Sequence, residues 1–184
     1  NLDLLVGKIV AKDNVGSLIG YAEGGAVTNV HAETRVSGND RVGGLVGYFT
    51  GNISKSSEKG NVLGRDSVGG VVGITTGSIT GTSAANSYFI GNVNGRNYVG
   101  GMAGSSEKIS NAYAEATISG DSSYVGGIAG LANGLVDSVY YTGGLVKGFG
   151  FVGGIVGSSL DSVKYSFSEG DVSGSGNRVG GAIG

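Results

Sequence analysis

The chain has 184 residues, 39% of them hydrophobic and 14% charged, with a formal net charge of −2. That balance excludes a disordered polyampholyte, and no basic field exists to attract nucleic acid or anionic lipid. With 40 glycines and neither proline nor cysteine, disulfides, thiolate metal sites and collagen are also excluded.

From the N-terminus, NLDLLVGKIVAKDNV reads as the middle of a repeating unit. The first residue is Asn1 rather than Met, and no basic segment followed by an apolar run is visible, so a processed or excised piece is expected. Apolar runs are only a few residues long, far from the ~20 of a transmembrane helix, and the chain is not expected to be membrane-embedded.

One phrase then recurs to the end of the chain: VGSLIG at 15–20, VGGLVG at 42–47, VGGVVG at 68–73, VGGMAG at 99–104, VGGIAG at 125–130, VGGIVG at 152–157 and VGGAIG at 179–184. The leading valines are separated by 27, 26, 31, 26, 27 and 27 residues, so residues 1–184 form a single repeat array. A second phrase alternates apolar and polar positions in the same register. It places Val27, Val30, Ala32 and Val36 in line with Ile109, Ala112, Ala114 and Ile118, with Val136, Val139, Tyr141 and Leu145, and with Val163, Ser166, Ser168 and Val172. Alternation and β-branched residues predict strands, ended by turns such as SGND and SGDSS.

These units predict an all-β chain, a parallel β-solenoid of about seven coils of ~27 residues, each burying its apolar face against its neighbours. A right-handed β-helix is expected from the handedness of parallel crossovers, about 30–35 Å long at the strand spacing. The longer offset is expected to be absorbed at a corner in TTGSITGTSAAN, 75–86. The phrase holds twenty of the forty glycines, which forgo on the order of 10–20 kcal/mol against alanine. Either the paired glycines turn a corner at positive φ, or they let layers approach more closely than a Cβ allows.

Chemistry-bearing residues are few. His31 is the only histidine, so it cannot build a histidine zinc site, and it is expected at an outward strand position. Serines abound, so a Ser-His-Asp arrangement carries little weight. No GxxxxGK[ST] follows a strand, and the glycines are read as architecture. Two residues before each valine stand Asp13, Asp40, Asp66, Asn97, Ser123, Gly150 and Asn177. Stacked ~4.8 Å apart, the first three would repel unless Lys12, Arg41, Arg65 and Arg96 neutralise them, or unless they hold Ca²⁺. Asx turn capping with a surface charge ladder is preferred, since the nonapeptide of calcium-loaded β-rolls is absent. Directly before the valine come Asn14, Arg41, Ser67, Tyr98, Tyr124, Phe151 and Arg178. Tyr98, Tyr124 and Phe151, joined by Phe149, are expected to stack as an aromatic ladder. That ladder is either purely structural or a partner-binding platform for a sugar ring or a protein.

The phrase VGG-[LVIM]-[VA]-G followed by a strand such as ISNAYAEATISGD resembles the GLUG-motif array, over all seven units. Ser17 and Ala182 depart mildly from it. The resemblance implies a non-catalytic structural, spacing or adhesive segment of a large secreted or cell-surface bacterial protein, such as an adhesin. Alternatively it implies a substrate-recognition or accessory segment in the N-terminal region of an IgA1-specific zinc metallopeptidase. No catalytic residue transfers, because HExxH is absent here, and no cofactor is expected. A host protein or glycan and flanking domains of the same polypeptide are the implied partners. A carbohydrate-active β-helix is less favoured, because its clustered acids would have to come from the Asp column, which dilutes to Ser123 and Gly150. Both ends look cut from a longer array, so caps are expected outside this chain, and without them end-to-end association.

Overall fold

A computed structural model describes residues 1–5, 7–82 and 86–184 and contains strands and turns but no helix among them. No helix is therefore long and apolar enough to cross a membrane. Every pairing of its strands is parallel, and together they form a β-solenoid of about six turns. The seven phrase copies bracket these turns. Val15, Val42, Val68, Val99, Val125, Val152 and Val179 face one another in unbroken succession along the axis. Strands ending on the leading Val-Gly of the phrase make a six-stranded sheet, and the second half of the phrase joins the remaining strands in an 18-stranded sheet that wraps the rest of the coil.

The core is a set of columns, one residue per coil. Ile53, Ile79, Ile109 and Val136 form one, and Val36, Val62, Val93, Ile118 and Val146 another, all nearly or wholly out of solvent. A third runs Ala32, Glu58, Phe89, Ala114, Tyr141 and Ser168 through the middle of the shaft. Thr34 is in register with Gly60, Gly91 and Ala116. One register differs from expectation: Val146, not Leu145, faces Ile118. Between Tyr141 and Val146 the chain carries one more residue than between Ala114 and Ile118, within Thr142–Gly144. The buried Tyr141 ring fills the space there, its hydroxyl donating to the Ala116 carbonyl at 2.6 Å. The 31-residue offset is absorbed between Thr80 and Tyr88: the flanking strands pair with the preceding coil without a slip, Thr80 with Ser54 and Tyr88 with Ser57. Against the next coil the register also shifts between Thr75 and Ser78. Residues Ser83–Ala85 of the longer unit lie outside the described set.

The glycine alternatives separate cleanly. No glycine of the repeated phrase has a positive φ. The left-handed corners belong to two other columns. One is Asn14, Arg41, Ser67, Tyr98, Tyr124, Phe151 and Arg178, with φ between 50° and 64°; the other is Asn29, Lys55, Asn111, Ser138 and Tyr165. The phrase glycines instead permit close approach. A Cβ on Gly70 would overlap the Gly101 carbonyl oxygen of the next coil and the Phe89 ring. The same position faces Glu58 from Gly44, Tyr141 from Gly127 and Ser168 from Gly154. It is the floor on which the central column rests.

Overpacking a closed interior costs roughly 1–3 kcal/mol, and the backbone here cannot give way without breaking the ladder. Gly70→Ala is therefore expected to lower the melting temperature by at least about 5 °C. Gly181→Ala, where a Cβ meets nothing within 4 Å, should leave it unchanged; calorimetry of the two variants distinguishes close approach from a general effect of losing glycine.

Candidate functional site

Because the strand residues of a coil sit above their counterparts, outward side chains form ladders, and a site on this surface is built from them. The corner before each phrase valine is left-handed in all seven copies. Non-glycine residues spend about 1–2 kcal/mol there. That strain belongs to the coil rather than to particular residues, since Asn14, Arg41 and Ser67 share it with the aromatics. Asn14 is a residue type suited to this conformation, and Tyr98, Tyr124 and Phe151 are not.

What the aromatics gain is mutual contact. The Tyr98 and Tyr124 rings lie 4.8 Å apart and 6° from parallel; Tyr124 and Phe151 lie 4.6 Å apart at 17°. The Arg178 guanidinium closes the stack 4.6 Å from the Phe151 centroid. Stacked pairs contribute about 0.5–1.5 kcal/mol each, which offsets part of the backbone cost. Phe149 does not join this ladder: among the described residues its half-exposed ring stacks on no other, and its carbonyl accepts the Gly176 N–H. It sits two residues earlier, on the far side of the Gly150 corner position. Since neighbouring rings cover one another's faces, the ladder presents ring edges and tyrosine hydroxyls to solvent.

A second aromatic ladder went unrecognised in the sequence. Tyr88, Tyr113, Tyr140 and Phe167 stack at 5.0, 5.0 and 5.5 Å, with Tyr21 and Tyr48 forming a separate pair at 5.1 Å. Asn86 reaches across two coils to donate to the Tyr140 hydroxyl at 2.8 Å. The signal was present as aromatics at the position following Ser87, Ala112 and Val139, directly beside the apolar column that the alternation identified.

Upstream the same column continues as Ser57, His31 and Asp3, on successive coils. His31 Nδ1 and Ser57 Oγ are 2.7 Å apart. The outward position expected for His31 holds, flanked by buried Val30 and Ala32. A nucleophilic serine must reach substrate, and Ser57 is only 2% exposed. No ion pair joins Asp3 to His31 among the described residues. The three residues share a column without making an attacking group.

Two of the three acids in the column, Asp40 and Asp66, are paired with arginines. Arg65 donates to both Asp40 oxygens at 3.2 and 2.7 Å and to Asp66 at 3.1 Å. Arg96 donates to Asp66 at 3.0 Å, and Asn97 adds a 2.8 Å bond. Burial pushes the Asp66 carboxyl up, but the Asn97 and Arg96 hydrogen bonds outweigh it and hold the group below its usual range. Arg41 and Lys12 do not pair with the acids: Arg41 donates to Asn14 at 2.5 Å, and Asp13 accepts the Asp40 N–H at 3.2 Å. Among the described residues no three acidic, histidine or cysteine side chains converge to hold a metal. Guanidinium groups hold the Asp40 and Asp66 carboxylates, while Asp13 accepts a backbone N–H, so the charge ladder consists of Asp40 and Asp66. The chain matches no protein-family model, no curated protein and no solved structure.

Millimolar Ca²⁺ is accordingly expected to produce neither heat in a calorimetric titration nor a change in melting temperature; a saturable heat lost in Asp66→Asn would contradict the ladder assignment.

Proposed function

We propose that the chain is a non-catalytic structural and adhesive β-solenoid module of a secreted or cell-surface protein. In this reading it is a rigid spacer whose edges recognise a partner. The phrase VGG-[LVIM]-[VA]-G supports placing it with the GLUG-motif arrays of bacterial surface proteins. The observation that carries the reading is the Tyr98–Tyr124–Phe151 ladder, closed by Arg178. Large rings occupy three consecutive left-handed corners, where asparagine, present at position 14, is the cheaper residue. Stacking returns part of that cost, and the row of ring edges and hydroxyls supplies what asparagine lacks: a continuous amphipathic strip of the residue types that dominate recognition surfaces.

Covered ring faces favour a protein partner over a sugar stacked face-on, because a sugar ring needs an aromatic face that these neighbours occupy. The test is binding of the purified chain to immobilised host extracellular-matrix proteins and, in parallel, to a glycan array. Micromolar or tighter binding to a protein is expected. It should weaken at least tenfold in Tyr98→Ser/Tyr124→Ser/Phe151→Ser, while the circular dichroism of the folded state is retained. Equal binding by the triple variant, or binding only to glycans, would overturn the assignment of this edge.

A further inference from the structure

The central column of the solenoid is apolar or small except at one coil. Glu58 occupies it, 0% exposed, between Ala32 on one side and Phe89 on the other. Its Oε1 accepts the Thr34 N–H at 3.0 Å and the Thr34 hydroxyl at 2.8 Å. Its Oε2 is out of solvent with no hydrogen-bond partner. Across the shaft stands Gly44, and a Cβ there would overlap the Glu58 Cγ and Cβ, so the side-chain stem packs directly against that backbone. Ser17, stacked on Gly44 in the preceding coil, also has a hydroxyl oxygen out of solvent and without a partner. Among the described residues no cation faces this interior. Glu33 and Lys59 flank Glu58 on outward positions, as do His31 and Tyr88 in the neighbouring column. At the facing corner Asp40 is engaged by Arg65, and Arg41 by Asn14.

A buried carboxylate oxygen with no donor costs considerably more free energy than a protonated carboxyl in the same place. We propose that Glu58 is a proton-dependent lock on the coil it occupies and the coils on either side: protonated, it completes the shaft between Thr34 and Gly44, and deprotonated, it loosens the stack around it. Burial holds its carboxyl up at about 7, against the opposing pull of the Thr34 hydrogen bonds. The sign follows from linkage. Below the ordinary glutamate range both folded and unfolded chains carry the proton and nothing is lost. As pH rises from that range to about 7, the unfolded chain releases its proton while the folded chain retains it, so stability falls across that window and levels off above it.

The experiment is thermal unfolding of the full chain between about pH 5 and about pH 8. The wild-type melting temperature is expected to fall by roughly 5–10 °C, and Glu58→Gln to vary by less than about 2 °C. Histidine titrates in the same window, so His31→Asn serves as control and should keep the wild-type fall. Hydrogen exchange, expressed as protection factors, should show protection lost at the higher pH in residues 30–36, 43–47 and 57–63 and kept in residues 125–130 and 152–157. Should Glu58→Gln fail to fold, the ¹³C carboxyl titration of Glu58 in the wild-type chain decides: a midpoint near 7 supports the lock, and one in the ordinary range of about 4–5 overturns it. A wild-type slope retained in Glu58→Gln, a slope abolished in His31→Asn, or an even loss of protection along the chain would equally overturn it.

Discussion

The structure depends on one steric constraint: the backbone of each coil approaches the next, and the central column, at points where a side chain cannot fit. Gly43, Gly44, Gly69, Gly70 and their counterparts satisfy it by having no Cβ, and their φ values are unexceptional. This reverses the usual reason for glycine in a loop-like sequence. Conformational freedom is spent elsewhere, at corners filled by asparagine, serine, arginine and aromatic residues, and the glycines provide contact. The entropy they forgo is the condition for packing Phe89, Tyr141 and Glu58 onto a bare backbone floor.

Register follows from the same constraint. Once the phrase strands lie directly over one another, the strand positions between them are stacked as well, apart from single-residue slips such as those at Thr75–Ser78 and before Val146, and properties become columns. A column of aspartates then requires an interleaved column of arginines, which Arg65 and Arg96 supply. A column of aromatics becomes a stack whose faces are mutually covered. A single unusual residue, such as Glu58, perturbs only its own coil and those beside it, because the solenoid transmits contacts between neighbours alone.

Much of this was legible in the sequence. Valines at constant spacing and the alternation around Ile109 and Ala112 specify both the stack and its inward face. The corner conformation was not legible, because a left-handed φ is signalled by Asn14 and Asn29 but disguised by Tyr98, Tyr124 and Phe151 at equivalent places. The one-residue slip at Leu145 escaped because an extra residue before Val146 is recovered before Val152, leaving the repeat length at 27. Glu58 escaped for a related reason. Its unit, ISKSSEKGNVL, is the most polar of the array, and alternation alone does not reveal which of Ser57, Glu58 and Lys59 turns inward. Only the register with Ala32 and Phe89 does so.

The stack itself is open to direct measurement, since the chain has no native cysteine to compete with introduced labels. Ser37, Leu63, Asn94, Ser119, Lys147 and Ser173 follow one another along an outward column. Spin labels at Ser37 and Ser119 are three coils apart, and labels at Ser37 and Ser173 are five. Pulsed electron–electron resonance should give separations of about 14 and 24 Å, growing by one strand spacing per coil. A separation that fails to grow with coil number, as on a closed ring, or one far beyond 24 Å, as between independent globules, would contradict it.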